Sequence, residues 1–112
     1  MTLAQEQAAF LLDACKLIQY ATERGFTVTG GELYRTAEQQ KIYFDRGLTK
    51  TMNSNHMRRL AIDLNFLRDG KLIGEKAALQ ELGDYWQSLH PANRWGGNFT
   101  TILDTPHFER NV

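Results

Sequence analysis

Cysteine is almost absent from the sequence, which limits the kinds of protein it can encode. The chain holds a single cysteine, Cys15, so a disulfide framework is excluded. Its neighbours along the chain are largely apolar, among them Leu11, Leu12, Ala14 and Ile18. These neighbours predict a buried, inert thiol rather than a nucleophile.

An excess of charge of either sign is also absent. The 13 Lys and Arg residues balance the 13 Asp and Glu residues, so the molecule has no overall field to hold nucleic acid or an anionic membrane. No apolar run approaches the roughly 18 residues of a spanning helix. The N-terminus also lacks the basic and then apolar segments of a signal peptide. We therefore expect no nucleic-acid partner, no membrane anchor and retention in the cytoplasm unless another factor releases the protein.

The remaining composition favours one α+β domain spanning residues 1–112. Hydrophobic residues make up 42% of the chain and aromatic residues 11%, enough for a sizeable core. Apolar residues at helical spacing predict helices at 4–24, 36–47 and 75–89. Alternating or β-branched runs predict strands at 26–29, 60–65, 72–73 and 106–112, with loops at 48–55 and 94–98.

Two segments carry residue types that bind metal. His56 lies seven residues ahead of Asp63, and the alternation in 60–65 puts Asp63 on the face opposite the leucines. A buried carboxylate there needs a cation, a metal or strong donors. Further along, His107 follows Asp104 by three residues. Two histidines, an aspartate and a spare carboxylate make up the inventory of a catalytic zinc site with an open fourth position and a general base.

The alternative for each histidine is a structural role, because a lone histidine near apolar residues is more often simply hydrogen-bonded. The combination is stronger evidence, since His56, Asp63 and His107 lie in separate strand-like segments that could converge on one face of a sheet. Pro106 favours a bend in the last of these segments, because proline fixes its own φ and restricts the preceding residue. Such a bend could bring Asp104 and His107 into one pocket.

These motifs resemble those of the M15 family of zinc peptidases, which includes D-Ala-D-Ala carboxypeptidases, dipeptidases and phage L-alanyl-D-glutamate endopeptidases. The resemblance covers residues 26–112 and rests on these segments: Tyr34-Arg35-Thr36, Ser54-x-His56, Ala61-x-Asp63, Trp95-Gly-Gly and Asp104-x-Pro-His107-Phe-Glu109. It implies an α+β fold with a small antiparallel sheet and flanking helices, like that of DD-peptidases and Hedgehog proteins.

The resemblance also implies roles for individual residues. The zinc ligands would be His56, Asp63 and His107, and the general base would be Asp104. Arg35 would contact the substrate carbonyl or the charge that develops on it. Because zinc lowers the pKa of a bound water to about 7, the base would need to accept a proton near neutral pH.

Further residues are implied around the zinc and its substrate. Ser54 and Glu109 are candidates to orient the histidine ligands, with capping or solvated roles as the alternative. Substrate contacts are expected from Ser54, Trp95 and Arg59. Arg59 also stands where many members have glycine, so a backbone conformation peculiar to glycine is expected to be absent. Arg58 and Arg59 would instead face the acidic stem peptide.

The resulting prediction is a zinc-dependent peptidase that acts on the stem peptide of peptidoglycan. We expect a monomeric phage endolysin, held in the host cytoplasm until release to the periplasm or cell wall, that cleaves between L-Ala and D-Glu. One alternative is a D-Ala-D-Ala carboxypeptidase of the same family. The other is a non-catalytic, zinc-stabilised module that binds cell walls, against which Asp104 argues because such a module needs no base.

Overall fold

The computed structural model describes residues 1–112 and shows an α+β fold, as predicted. Its helices are α1 Leu3–Glu23, α2 Ala37–Asp45 and α3 Lys76–Leu89. Its strands are β1 Thr27–Gly30, β2 Ala61–Arg68, β3 Lys71–Ile73, β4 Asn93–Trp95 and β5 His107–Arg110. Short 3-10 turns lie at Asn55–Arg58 and Gly96–Asn98. None of the helices has the length and apolar character needed to span a bilayer.

The sheet is organised around β2. The beginning of β2 pairs with β5, its later part pairs with β1 and β3, and β4 lies beyond β5; every pairing is antiparallel. The register places Asp63 directly opposite His107. On its other side, Asp63 accepts a bond from the Gly31 N–H at 2.7 Å and donates to the Glu32 carbonyl at 2.9 Å. The backbone of Asp63 is therefore fixed from both sides.

The core combines apolar side chains from α1, α3 and the sheet. Alternation along β2 directs Leu64 and Phe66 into this core and leaves Asp63 on the opposite face, as predicted. The buried cluster consists of Phe10, Leu17, Ala21, Phe26, Leu60, Leu64, Phe66, Leu79, Leu82, Trp86, Trp95 and Phe108. One face of the sheet thus forms the core, and the other is free to carry polar side chains.

Most of the predicted elements are present, but β4 was not expected. The predicted helices correspond to α1, α2 and α3, and the predicted strands to β1, β2, β3 and β5. The prediction of a loop throughout 94–98 is wrong, because Asn93–Trp95 pairs with β5. A strand of 3 residues is too short to show alternation before a glycine pair.

The prediction of a buried Cys15 is also wrong, because its side chain is exposed. The buried face of α1 carries Phe10, Ala14, Leu17 and Ala21. Leu11 and Leu12, the apolar residues that suggested burial, are themselves 51% and 65% exposed. They lie one turn before Cys15 and share its outward face, since residues three and four apart are neighbours on a helix.

Candidate active site

The three predicted metal ligands converge where β2 and β5 lie side by side. Asp63 Oδ1 is 3.3 Å from His56 Nε2 and 3.6 Å from His107 Nδ1. These ligand atoms all lie within 4.8 Å of one another. Both histidines are buried, whereas the Asp63 side chain is partly exposed. The fold therefore forms a group that could hold a metal ion, from residues widely spaced in the sequence.

Each histidine has one ring nitrogen engaged by the protein and the other turned toward Asp63. His56 Nδ1 lies 2.9 Å from the Leu33 carbonyl and donates to it, which leaves Nε2 facing Asp63. His107 Nε2 lies 2.7 Å from Glu109 Oε1, which leaves Nδ1 free. Hydrogen bonds of this kind fix the tautomer and the ring orientation of a metal ligand. Glu109 thus occupies the orienting position that was one of its two predicted roles.

Two buried atoms in this group lack hydrogen-bond partners, His56 Nε2 and Asp63 Oδ1. They are 3.3 Å apart but form no hydrogen bond of acceptable geometry. A buried polar atom left unpaired costs about 1–3 kcal/mol, and a cation between the two would satisfy both. Two ligands at about 2.0–2.1 Å from one tetrahedral ion lie about 3.3–3.4 Å apart. The separation and the donor types therefore fit a divalent ion such as zinc.

The turn that carries His56 is fixed at both of its ends. At the start, Ser54 Oγ accepts a bond from the His56 N–H at 3.1 Å. At the end, Arg59 has φ 55° and ψ 37°, the left-handed conformation that favours glycine. The expectation that this conformation is absent is therefore wrong. The Arg59 guanidinium lies over the Tyr34 ring, 4.2 Å from its centroid.

The structure places Arg58 and Arg59 outside the candidate site, so their predicted contact with the substrate stays a prediction. Neither residue lines the cavity that opens onto the metal-binding group. Arg58 donates to the carbonyl of the C-terminal residue, Val112, at 2.7 Å. The left-handed turn and the contact with Tyr34 hold Arg59 elsewhere on the surface. Ser54 does line the cavity, so a substrate contact from Ser54 stays a prediction.

Burial and neighbouring groups act in opposite directions on the pKa values of Asp63, His107 and Glu109. Burial opposes the ionisation of Asp63, but contacts with His107 and His56 outweigh it and bring the pKa of Asp63 below its usual range. Burial likewise opposes a charge on His107, yet contacts with Asp63 and Glu109 raise its pKa to about 9. Burial also opposes the charge of Glu109, and contacts with His107 and Arg94 lower its pKa. Contacts with Asp63 and Glu109 therefore favour the charged form of His107.

Asp104 lies beside this group in the cavity wall. Its Oδ2 is 4.0 Å from His107 Nδ1, and its side chain is 48% exposed. Partial burial of the side chain raises the pKa of Asp104. The charge of His107 opposes this rise, and the charge of Asp63 adds to it. A carboxyl group with a raised pKa is better suited to exchange protons near neutral pH. The role of Asp104 as a base stays a prediction that this position supports.

The cavity has a volume of about 930 Å³, which falls in the usual range for ligand sites. Three cationic side chains line it, namely Arg35, Lys50 and Arg94. Arg35 forms an ion pair with Glu32, and Arg94 forms one with Glu109. Lys50 has no carboxylate partner within the chain. The cavity thus offers one cation whose charge the protein does not balance locally.

Arg35 reaches the cavity from the segment between β1 and α2. Its Nε donates to Glu32 Oε1 at 2.6 Å and its Nη1 to Gln40 Oε1 at 2.9 Å. Its guanidinium also lies over the Tyr43 ring, 4.8 Å from the centroid. The side chain is therefore held rigidly while 13% of it remains exposed. Its contact with substrate stays a prediction.

Trp95 lies in the core rather than in the cavity wall, so the structure gives its predicted contact with substrate no support. Its side chain is fully buried and its Nε1 donates to the Thr105 carbonyl at 2.9 Å. The following glycines permit this packing: a side chain at Gly97 would overlap the Trp95 ring, and one at Gly96 would overlap the Asp104 carbonyl oxygen. The Trp95-Gly96-Gly97 motif therefore packs against the segment that carries Asp104 and holds that segment in place.

Several contributors to the site were not found from the sequence. The Leu33 carbonyl fixes His56, but every residue has a carbonyl, so no pattern could reveal it. Phe99 packs against His107, with ring centroids 5.6 Å apart, and it lies in a segment without regular spacing. Arg94 pairs with Glu109 across β4 and β5. If β4 had been predicted as a strand, the pairing of Arg94 with Glu109 could have been predicted too.

Comparisons with known proteins give the family and a similar fold. A family model of M15 peptidases, described as D-alanyl-D-alanine carboxypeptidase, matches residues 47–110. The crystal structure of the Serratia marcescens L-Ala D-Glu endopeptidase ChiX is similar in fold, with a TM-score of 0.70 and 21% sequence identity over 88% of this chain and 78% of that chain. No protein with a curated description matches the chain. Because the family match spans more than half of the sequence, the chain belongs to the M15 peptidase family.

Proposed function

We propose that the protein is a zinc-dependent peptidase that hydrolyses the L-Ala–D-Glu bond in the stem peptide of peptidoglycan. The observation that carries the proposal is the convergence of His56, Asp63 and His107, with two unpaired buried atoms, beside Asp104 in an open cavity. Membership of the M15 peptidase family supports the reaction class. The similarity in fold to a protein described as an L-Ala D-Glu endopeptidase supports the choice of bond.

In this proposal the metal and the protein divide the chemistry. Zinc held by His56, Asp63 and His107 would supply a Lewis acid and a water of lowered pKa. Asp104 takes a proton from the attacking water and passes it to the leaving amine, and its raised pKa suits both transfers. Arg35, held by its contacts with Glu32 and Gln40, faces the oxyanion that forms on the scissile carbonyl. Such a donor contributes about 3–4 kcal/mol to catalysis.

Substrate charge gives a further reason to favour stem peptides. These peptides are rich in carboxylates, which need cationic partners on the enzyme. Lys50 lines the cavity without an acidic partner of its own, so it is free to bind a substrate carboxylate. This assigns to Lys50 the role that the sequence suggested for Arg58 and Arg59.

A D-Ala-D-Ala carboxypeptidase is the second candidate, since the matching family model carries that description. The two activities would use the same ligands, base and cavity. They differ in biological consequence, because removal of a terminal D-Ala leaves existing cross-links intact, whereas cleavage after L-Ala detaches the peptide from the glycan. We therefore extend the endopeptidase proposal to a role as a phage endolysin that is released from the host cytoplasm to the cell wall.

Mass spectrometry of muropeptides tests the choice of bond. Zinc-loaded protein is incubated with purified peptidoglycan, and the digest is compared with one made in the presence of a chelator. We expect release of peptides that begin at D-Glu, with L-Ala left on the muramyl sugar. Loss of terminal D-Ala alone would support the carboxypeptidase, and no new product from zinc-loaded protein would support the non-catalytic binding module.

Metal analysis of variants tests the division between ligands and base. We expect His107→Ala to lose stoichiometric zinc, and Asp104→Ala to keep its zinc while turnover falls at least about 100-fold, the lower range for a lost proton-transfer group. His90→Ala is the matched control. His90 Nδ1 accepts a bond from the Ala92 N–H at 3.0 Å and does not line the cavity, so this variant should keep both zinc and activity. Stoichiometric zinc in His107→Ala would show that the ligand set is misassigned.

A further inference from the structure

We infer that Arg94 is a positioning residue for the metal site, acting through Glu109 on the ring of His107. The inference rests on the proposed function, because it concerns how the protein prepares a metal ligand. Arg94 itself is not adjacent to any ligand in the sequence. It belongs to β4, and the register of β4 with β5 places it directly opposite Glu109.

The contacts form a continuous chain from Arg94 to the ligand. Arg94 Nε donates to Glu109 Oε2 at 2.7 Å, and Arg94 Nη2 donates to the same oxygen. The other oxygen of Glu109, Oε1, lies 2.7 Å from His107 Nε2. Each carboxylate oxygen therefore has a separate partner, which restricts rotation of the carboxylate. His107 Nδ1 is left free toward Asp63.

The Glu109 carboxylate and the His107 ring are both buried, whereas Arg94 lies at the surface of the cavity. The side chains of Glu109 and His107 are 6% and 9% exposed, whereas that of Arg94 is 51% exposed. Arg94 thus lies over the carboxylate on the side of the cavity. Its guanidinium also lies 5.7 Å from the centroid of the Phe99 ring, which itself packs on His107. Removal of Arg94 would take away the only cation paired with Glu109 apart from His107.

This arrangement predicts that the effects of Arg94 and Glu109 on zinc affinity are energetically coupled and do not simply add. If Arg94 acts through Glu109, its loss matters only while the Glu109 carboxylate is present. Partners that orient metal ligands typically change metal affinity by about 10- to 100-fold. A double-mutant cycle separates an action through Glu109 from a direct effect on the cavity.

The experiment measures the zinc dissociation constants of the wild type, Arg94→Ala, Glu109→Gln and the double variant by competition with a chromophoric chelator. We expect affinity to fall about 10-fold in Arg94→Ala and about 10- to 100-fold in Glu109→Gln. The double variant should bind zinc no more weakly than Glu109→Gln alone. Arg94→Lys should recover part of the loss, because an ammonium can replace one of the two donors. Arg46→Ala, an exposed arginine away from the cavity, is the matched control and should match the wild type.

The absorption spectrum of the cobalt-substituted protein gives a second reading that does not depend on activity. We expect the d–d bands of Arg94→Ala to differ from those of the wild type, because the His107 ring is held less firmly. Unchanged affinity and spectrum in Arg94→Ala, or additive losses in the double variant, would overturn the inference and leave the proposed function intact. A wild-type protein that binds no zinc would overturn both.

Discussion

At the residue scale, the spacing between the candidate base Asp104 and the candidate ligand His107 depends on a residue without a side chain. The Gly96 carbonyl accepts bonds from the N–H groups of Asp104 at 3.0 Å and Phe99 at 3.2 Å. A Cβ on Gly96 would overlap the Asp104 carbonyl oxygen and lie 2.9 Å from His107 Cβ. Both neighbours belong to the active-site wall. The close approach of backbone to backbone therefore brings Asp104 and His107 to their observed separation.

Gly96→Ala should accordingly destabilise the protein by about 1–3 kcal/mol, the usual cost of inserting a methyl group into a well-packed site. The shift of His107 should also weaken zinc binding in the fraction that stays folded. Urea denaturation and zinc titration measure the two effects. Gly74→Ala is the control, because a Cβ there would meet nothing within 4 Å. A Gly96→Ala protein as stable as Gly74→Ala would contradict this account of the glycine.

The candidate ligands and the candidate base could be selected from the sequence because their chemistry is a property of residue type. His56, Asp63, His107 and Asp104 are the kinds of side chain that bind zinc or move protons, and the fold brings them together. The orientation of Trp95 could not be predicted in the same way. An aromatic side chain fits either a substrate site or a core, and only the pleat of β4 decides between them.

At the scale of elements, α1 is joined to the edge of the sheet by a buried polar network. Arg110 donates from Nη2 to Asp13 Oδ2 at 2.6 Å and from Nη1 to Glu6 Oε2 at 3.2 Å. Asn93 Nδ2 also donates to Asp13 Oδ2, at 3.1 Å. Because side chains alternate along β5, Arg110 points to the side opposite His107. The strand β5 therefore contributes to the candidate metal site on one face and fixes α1 on the other.

Asp13→Ala should cost about 3–5 kcal/mol, because it leaves the buried Arg110 charge without its closest partner. Chemical denaturation measures the loss, and zinc stoichiometry of the folded fraction should not change. Lys16→Ala is the control. Lys16 is 61% exposed and 4.0 Å from Asp13, so its removal should change stability by no more than about 0.5 kcal/mol. Equal stabilities of the two variants would show that the network does not secure α1.

The long elements were predictable because they repeat their pattern over several turns or residues. The helix α1, with 21 residues, and the strand β2, with 8 residues, both show their buried face in the sequence. The strand β4 has only 3 residues and owes its existence to pairing with β5. The exposure of Cys15 was missed for a related reason, since apolar neighbours on α1 do not reveal which of them the sheet covers.

At the scale of the whole molecule, the charges of the site connect stability to pH. In the metal-free protein the pKa of His107 is raised from 6.5 to about 9. The contribution of His107 to the free energy of unfolding is therefore complete below pH 6.5 and is lost as pH rises through 9. The pKa of Glu109 is lowered from its usual 4.5, so its contribution is complete above that pH and is lost as pH falls further. Both contributions are complete between pH 4.5 and pH 6.5, so the metal-free protein should be most stable in that range.

Zinc should cancel the alkaline part of this dependence. To bind at Nδ1 of His107, zinc must displace the proton that gives this group its pKa of about 9. Zinc affinity should therefore rise about tenfold per pH unit between pH 7 and 9, because one proton is released for each ion bound. Over the same interval the metal-free protein loses stability, so the gap between the zinc-loaded and metal-free unfolding curves should widen with pH.

Unfolding free energies measured from pH 6 to 9, with excess zinc or with a chelator, provide the test of this last prediction. Glu109→Gln is the matched variant. It removes one of the contacts that raise the pKa of His107, so the pH at which zinc affinity stops rising should shift downward. A stabilisation by zinc that stays constant from pH 7 to 9 in the wild type would mean that His107 is already neutral in the metal-free protein. In that case the imidazolium between Asp63 and Glu109 would not be the state that zinc replaces.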